Sequence, residues 1–326
     1  MAKVRSLDAK LSRLRQLQNA TPSPEVREEL RCALADRSNF VVAEAAETTG
    51  KLGLADLAPE LVAAFNRLLV NPVKNDKMCR GKIAIAQALE KIEYLRPEVF
   101  LTSIRHVQPE PVWGGQQDTA VPLRAASAFA LVRIGHAGVQ PLLVDLLADP
   151  ERGARAAAAQ ALAYSGTTAA RLLLRFKARI GDEDPDVTAE CFSGLLRLES
   201  EEALPFVAEF LRAHDLGVQE AAVMALGGSR RPEAVDLLEA FWRTQTDSTL
   251  RETALVALAL LRQPAANAFL LALVASGSSA DADAALAALA VHHYDVRIRE
   301  QAGAAVAQSG NKDLQALFEK RFQAEE

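Results

Sequence analysis

Apolar residues recur through most of the chain with the spacing of helices that bury one face. In VQPLLVDLLADP (139–150), EEALPFVAEFLRAHD (201–215) and PEAVDLLEAFWRTQ (232–245) they fall at i, i+3, i+4 and i+7. A second, alanine-rich segment, such as GARAAAAQAL (153–162), alternates with these helices. Gly, Asp, Ser and Pro separate the two kinds of segment, and no alternating run indicates a strand. The pattern predicts an all-α protein built from helix pairs.

The alanine-rich segment repeats at a nearly constant distance. Its closing leucine is found at positions 89, 131, 162, 195, 226, 258 and 289, and further copies are predicted at 41–53 and 295–310. A helix pair of about 31 residues cannot bury its apolar face alone, whereas stacked pairs form a continuous core. We therefore predict a right-handed α-solenoid of about 8–9 helix pairs over residues 21–310. Residues 1–20 and 311–326 are expected to form capping helices.

This layout resembles the HEAT repeat family, and in particular its phycobilisome-lyase-like branch. The resemblance covers about residues 24–310 and rests on the LLxDxxxxVRxxAAxAL arrangement of each pair. It implies that the repeated arginines pair with aspartates of neighbouring turns, such as Asp149 or Asp247, in a ladder along the stack. These arginines are Arg80, Arg124, Arg155, Arg251 and Arg297. The layout is specific for a fold but nearly silent on function.

Charge and cysteine usage narrow the class of protein. The net charge is −5, and it is uneven: residues 1–163 hold 21 Lys and Arg against 18 Asp and Glu, and residues 164–326 hold 16 against 24. An acidic chain disfavours a long nucleic-acid site, which would need to neutralise many phosphates. The three cysteines are far apart and are expected to be reduced thiols. With neither a secretory signal nor a membrane-spanning run in the sequence, we expect a cytoplasmic protein.

One repeat is longer than the others. The step from Leu89 to Leu131 is 42 residues and contains an insertion, HVQPEPVWGGQQDTAVPLR (106–124). Connections longer than a repeat needs are often functional. Trp113 stands here beside two glycines, and an exposed tryptophan among polar groups is typical of a binding hot spot. The alternative is that Trp113 folds back as a plug over the stack, in which case Trp113→Ala would cost about 3–5 kcal/mol.

A basic segment precedes the insertion. NPVKNDKMCRGK (71–82) surrounds the start of a predicted helix, where free N–H groups and the dipole favour anions. This pattern indicates a phosphate or acidic-peptide site, or else a solvated basic loop. Cys79 lies in the same segment, and exposure there would lower its thiol pKa. The predicted binding residues are Lys74, Lys77, Arg80, Lys82, His106, Trp113, Asp118 and Arg124.

No motif for catalysis is recognisable. The sequence lacks HExxH, CxxC, nucleotide-binding loops and a credible Ser-His-Asp set, so we predict no catalytic residue, metal or cofactor. We predict a non-enzymatic scaffold, a monomer or weak dimer, that binds a partner protein or peptide on the concave face of its second helices. Two alternatives stay open. One is a nucleic-acid-binding protein similar to the HEAT-like DNA glycosylases, and the other is a bilin lyase or chaperone-like subunit.

Overall fold

The computed structural model describes residues 2–198 and 202–322, with side chains from residue 7 onwards. The chain divides into two compact units, Met1–Ser165 and Gly166–Glu326. Both units are built from antiparallel helix pairs, so the predicted all-α solenoid is confirmed. The described residues form nine pairs, four in the first unit and five in the second, together with one leading helix and one four-residue helix, Pro72–Asn75.

The first unit consists of ten helices and one β-hairpin. The helices are α1 (Ala2–Leu17), α2 (Pro24–Leu34), α3 (Asn39–Lys51), α4 (Ala58–Leu68), α5 (Pro72–Asn75), α6 (Arg80–Lys91), α7 (Glu98–Ser103), α8 (Val121–Arg133), α9 (Val139–Leu147) and α10 (Arg152–Ser165). The strands are β1 (Pro109–Val112) and β2 (Gly115–Asp118), and 3₁₀ turns span Ala55–Leu57 and Lys77–Cys79.

The second helices of this unit form one row, in which α3, α6, α8 and α10 contact each other in order. Small residues allow this close packing: a Cβ atom added to Gly50 would lie 3.0 Å from the Cα of Ala88. At the front, α1 packs against α3 and buries Leu14 and Leu17. Its basic face pairs with the next helices, for example through Arg13 and Glu29 at 2.9 Å. The leading helix therefore covers the exposed end of the row.

The second unit consists of ten helices. They are α11 (Thr168–Ile180), α12 (Pro185–Leu198), α13 (Ala203–Glu209), α14 (Leu216–Gly228), α15 (Ala234–Thr244), α16 (Ser248–Leu261), α17 (Pro264–Ser276), α18 (Ser279–Leu289), α19 (Val296–Ser309) and α20 (Lys312–Phe322), with 3₁₀ turns at Phe210–Arg212 and Ala290–His292. Among the described residues, no helix combines the length and apolar character that crossing a membrane requires.

The end of the second unit differs from the sequence prediction. Residues 295–310 were expected to be a further second helix, in line with α12, α14, α16 and α18. In the structure α19 packs against α17, a first helix, and α20 contacts both α18 and α19. The alanine-rich segment therefore occupies the row of first helices, because small residues permit close packing in either row.

The arginine ladder is only partly as expected. Arg124 pairs with Asp149 of the following turn at 3.0 Å, as predicted. Asp247 instead caps α16 by accepting from the backbone N–H of Leu250 at 3.0 Å, and Arg251 pairs with Asp281 at 2.8 Å. The prediction for Asp247 is wrong because a helix start offers free N–H groups closer than the neighbouring arginine.

Candidate functional site

The insertion between α7 and α8 forms a β-hairpin where the sequence predicted no strand. Its strands are antiparallel, with pairing from Pro109↔Asp118 to Val112↔Gly115. The turn residues are Trp113 and Gly114, and Gly114 has φ 91°, a conformation that side chains disfavour. The alternating apolar signal is missing because the one residue that the two strands bury is the polar Glu110, and the others are exposed or half-buried. The adjacent glycines were the one local signal that could have indicated this turn.

Trp113 lies at the tip of the hairpin and is fully exposed. The neighbouring Val112 is also exposed. The plug alternative is therefore wrong, because the four-residue strands carry the indole away from the helix stack. A fully exposed tryptophan is the kind of side chain that an interface buries.

The base of the hairpin is anchored to the loop that precedes α6. The carboxylate Oε1 of Glu110 accepts hydrogen bonds from the backbone N–H of Met78 at 2.5 Å, the amide Nε2 of Gln108 at 2.8 Å and the hydroxyl of Thr119 at 2.9 Å. The same amide of Gln108 donates to the backbone oxygen of Asp76 at 2.8 Å. Glu110 is buried, so these bonds are shielded from water and fix the direction of the hairpin.

Asp76 occupies the anion position at the start of α6. Its carboxylate accepts from the backbone N–H groups of Gly81 and Lys82 at 2.7 and 3.0 Å, and from Asn39 at 3.1 Å. The ammonium of Lys82 pairs with it at 2.8 Å, and both side chains are wholly buried. The anion site predicted with Lys82 is thus corrected: the chain's own carboxylate already takes the helix N-terminus, and Lys82 has no access to a surface ligand.

Arg124 and Asp118 are structural as well. The guanidinium of Arg124 is buried, pairs with Asp118 at 2.6 Å and donates to the backbone oxygen of His106 at 2.9 Å. Burial raises the pKa of Asp118, but two backbone N–H groups and Arg124 more than offset it, so its pKa lies below the usual value. Both residues were predicted to contact a ligand. The structure corrects this, because their polar atoms join the hairpin base to α8 and to the next turn.

Two further residues lie around this anchored base. His106 is half-buried, contacts Gln108 at 3.3 Å, and burial lowers its pKa. Cys79 is buried, and this burial raises the pKa of its thiol to about 12. The lowered pKa considered for an exposed Cys79 therefore does not arise. Neither residue presents a reactive group to the solvent near Trp113.

The remaining predicted residues stay accessible. Lys74, Lys77 and Arg80 are exposed, and Arg80 lies over the ring of Phe40 at 5.0 Å. Among the residues described, neither lysine forms an ion pair. The bond between Glu110 and Met78 places the hairpin beside this segment. We name the exposed surface the edge patch, and it consists of Phe40, Lys74, Lys77, Met78, Arg80, Val112 and Trp113.

The backbone beneath the edge patch is strained. Met78 and Cys79 have φ values of 61° and 53°, a left-handed conformation that costs roughly 1–2 kcal/mol per residue. The contacts of Asp76 and Glu110 hold this conformation. Strain maintained by surrounding bonds is typical of functional segments. Sequence reasoning missed Asp76, although it stands before a second helix as Asp247 does.

A site for a metal ion does not emerge from the described residues, which contain no group of three or more His, Cys, Asp or Glu side chains placed to hold one. The helix pairs of both units define the chain as an α-solenoid. A family model for HEAT repeats matches residues 173–259 and 218–290, so the helix pairs of this stretch are HEAT repeats, as the sequence predicted.

Solved structures resemble the chain at the level of the fold. A chain from the complex of CpcE and CpcF of phycocyanin lyase from Nostoc sp. PCC7120 is 21% identical, with 75% of this chain and 93% of that chain covered and a TM-score of 0.37. Human deoxyhypusine hydroxylase is 21% identical over 78% and 90%, with a TM-score of 0.30. An engineered protein is 19% identical over 96% and 93%, with a TM-score of 0.36. No curated protein matches the chain.

Proposed function

We propose that the chain is a non-enzymatic interaction scaffold that binds a partner protein or peptide through the edge patch. The observation that carries this proposal is the fully exposed Trp113 at the tip of an anchored hairpin. The buried hydrogen bonds of Glu110 hold the hairpin in place before any partner binds. A preorganised hairpin reduces the entropy lost on binding, and a tryptophan offers a large apolar area. HEAT repeats, which commonly mediate protein interactions, support this reading.

The edge patch lies at the connections between first and second helices. It includes Phe40 and Arg80 at the starts of α3 and α6, so a partner seated there can continue over the exposed faces of the second helices. On this proposal the partner extends onto the concave face predicted from the sequence. The cytoplasmic location and the monomeric or weakly dimeric state belong to the same proposal, with three free cysteines as support for a reducing compartment.

The two alternatives have less support. The nucleic-acid alternative needed Trp113 and Asp118 to share a pocket. Trp113 lies at the tip of the hairpin, whereas Asp118 lies at its base and is engaged by Arg124. The burial of Lys82 also removes one cation from the surface. The bilin-lyase reading is supported by fold likeness alone, and a TM-score of 0.37 carries no argument about function.

Selection from a phage-displayed library of random 12-residue peptides tests this proposal. We expect enriched peptides whose affinity falls at least about 30-fold in Trp113→Ala, the loss of a hot-spot side chain worth 2 kcal/mol or more. The matched control is Leu95→Ala, because Leu95 is 74% exposed but lies on the opposite edge, between α6 and α7. Equal binding by wild type and Trp113→Ala, or no enrichment at all, contradicts the proposal.

Trp113→Ala also needs a stability measurement. A fully exposed side chain makes few contacts, so the free energy of unfolding is expected to change by no more than about 0.5 kcal/mol. A loss of affinity with unchanged stability then assigns the effect to the interface. A stability loss of several kcal/mol contradicts the exposed placement.

A further inference from the structure

The hairpin has two outer edges with different hydrogen-bonding capacity. In an antiparallel pair, bonded and non-bonded residue pairs alternate, and residues of a non-bonded pair point their N–H and C=O groups outward. The backbone N–H of Thr119 donates to Gln108 at 3.0 Å, so this pair is bonded. Pro109↔Asp118, the next pair, is then non-bonded.

The outer edge of β1 is closed by proline. The pair Pro111↔Gln116 lies two positions along the register from Pro109↔Asp118. Because bonded and non-bonded pairs alternate, it is also non-bonded. Both outward positions of β1 are therefore Pro109 and Pro111, which have no N–H to donate. Proline at alternate outward positions is a recognised way to prevent strand addition. β1 cannot accept another strand as its partner.

The outer edge of β2 is open. Gln116 points its backbone N–H and C=O away from β1, and neither group has a hydrogen-bond partner within the described part of the chain. Gly115, Gln116 and Gln117 are all exposed. The other outward residue of β2, Asp118, has its carboxylate engaged by Arg124. Since an exposed strand edge without proline or a free charge is a template for pairing, β2 offers one edge for another chain.

The exposed charges of the segment that the hairpin contacts are of one sign. Lys74, Lys77 and Arg80 are the exposed charged side chains of residues 71–80. The nearby acids, Asp76 and Glu110, are buried with their bonds satisfied. A second copy of this hairpin would bring the same cations together, whereas a segment rich in Asp and Glu would be attracted.

We infer that an extended acidic segment of a partner protein adds to β2 as a third strand, with apolar residues at alternate positions for contact with Trp113 and Met78. This inference rests on the proposed function and states how the partner is held. Backbone bonds to Gln116 give the pairing, and the cations select the sign of the partner's charge.

Gln116→Pro and Gln116→Ala form a matched pair of variants for the test. Gln116→Pro removes the outward N–H without touching a ladder bond, as Pro109 and Pro111 do on the other strand. Gln116→Ala removes the same side chain but keeps the backbone donor. Peptides selected from the 12-residue library on wild type are used as the probe, and affinities are measured by fluorescence anisotropy. Hydrogen exchange of the backbone amides of residues 114–118 reports directly whether the β2 edge is paired.

We expect an excess of Asp and Glu in the selected peptides, about tenfold or more weaker binding to Gln116→Pro, and little change in Gln116→Ala. The amide of Gln116 should exchange more slowly when peptide is bound. Peptides that need Trp113 but bind Gln116→Pro as well as wild type overturn strand addition and leave the proposed function standing. Peptides without an acidic excess overturn the assigned charge, and the absence of any selected peptide overturns both proposals.

Discussion

The buried pair of Asp76 and Lys82 positions the candidate site, and its removal gives a sharp test of the structure. Asp76→Ala deletes the carboxylate that the Lys82 ammonium contacts at 2.8 Å, with both side chains wholly buried. It also leaves two backbone N–H groups at the start of α6 without an acceptor. Breaking a buried ion pair by removing one partner costs about 3–5 kcal/mol. We expect a loss of this size in the free energy of unfolding.

The opposite substitution should cost less. In Lys82→Met the carboxylate keeps its bonds from Gly81, the residue-82 backbone and Asn39, and it remains at a helix N-terminus. We therefore expect a loss of roughly 1–3 kcal/mol. The double variant Asp76→Ala/Lys82→Met leaves no buried ammonium, so its loss should be smaller than the sum of the two single losses.

Urea unfolding followed by far-ultraviolet circular dichroism measures these differences, and hydrogen exchange of residues 108–119 reports release of the hairpin. Asp56→Ala is the matched control, because Asp56 pairs with Arg27 at 3.1 Å on the surface, where such a pair contributes about 0–1 kcal/mol. A loss below about 1 kcal/mol in Asp76→Ala, or strict additivity in the double variant, refutes the buried pair as the anchor of the site.

Three further outcomes are expected. Gly227→Ala should destabilise the second unit by roughly 1–3 kcal/mol, because the added Cβ would lie 2.6 Å from the backbone of α16. Gly228→Ala is the control, since its Cβ would meet nothing within 4 Å, and it should be neutral or mildly stabilising. Thermal melts of both variants measure the difference. Cys32 should react with a thiol reagent at pH 8 in the folded protein and buried Cys79 should not, so labelling of both contradicts the burial. Folding lowers the pKa of Asp118, so the ionised carboxylate stabilises the folded state fully above its unfolded pKa of about 3.9, and this stabilisation is lost as the pH falls through the lower folded pKa. Asp118→Asn should therefore lower the urea midpoint at pH 7. In the same variant the midpoint should decline less steeply below about pH 4 than in the wild type.

The sequence was sufficient for the repeat but not for the roles of its charged residues. Lys77 and Lys82 are five positions apart in one basic segment, and the pattern treated them alike. Lys77 is exposed, whereas Lys82 is buried against Asp76. The residues before α6 are held by Gln108 and Glu110, about thirty positions later, which bond to Asp76 and Met78. No local pattern contains that information.

The amino-acid order alone determined the helix pairs, their period of about 31 residues, the leading helix and the place of the insertion around Trp113. These features depend on the spacing of apolar residues and on turn residues, which act over a few positions of the chain. The tertiary structure decided that Trp113 is exposed while Arg124 and Lys82 are buried in ion pairs, and that one edge of the hairpin is open. Burial and hydrogen-bond satisfaction depend on which distant segments of the chain come into contact. The local sequence of a short segment does not specify which segments those are.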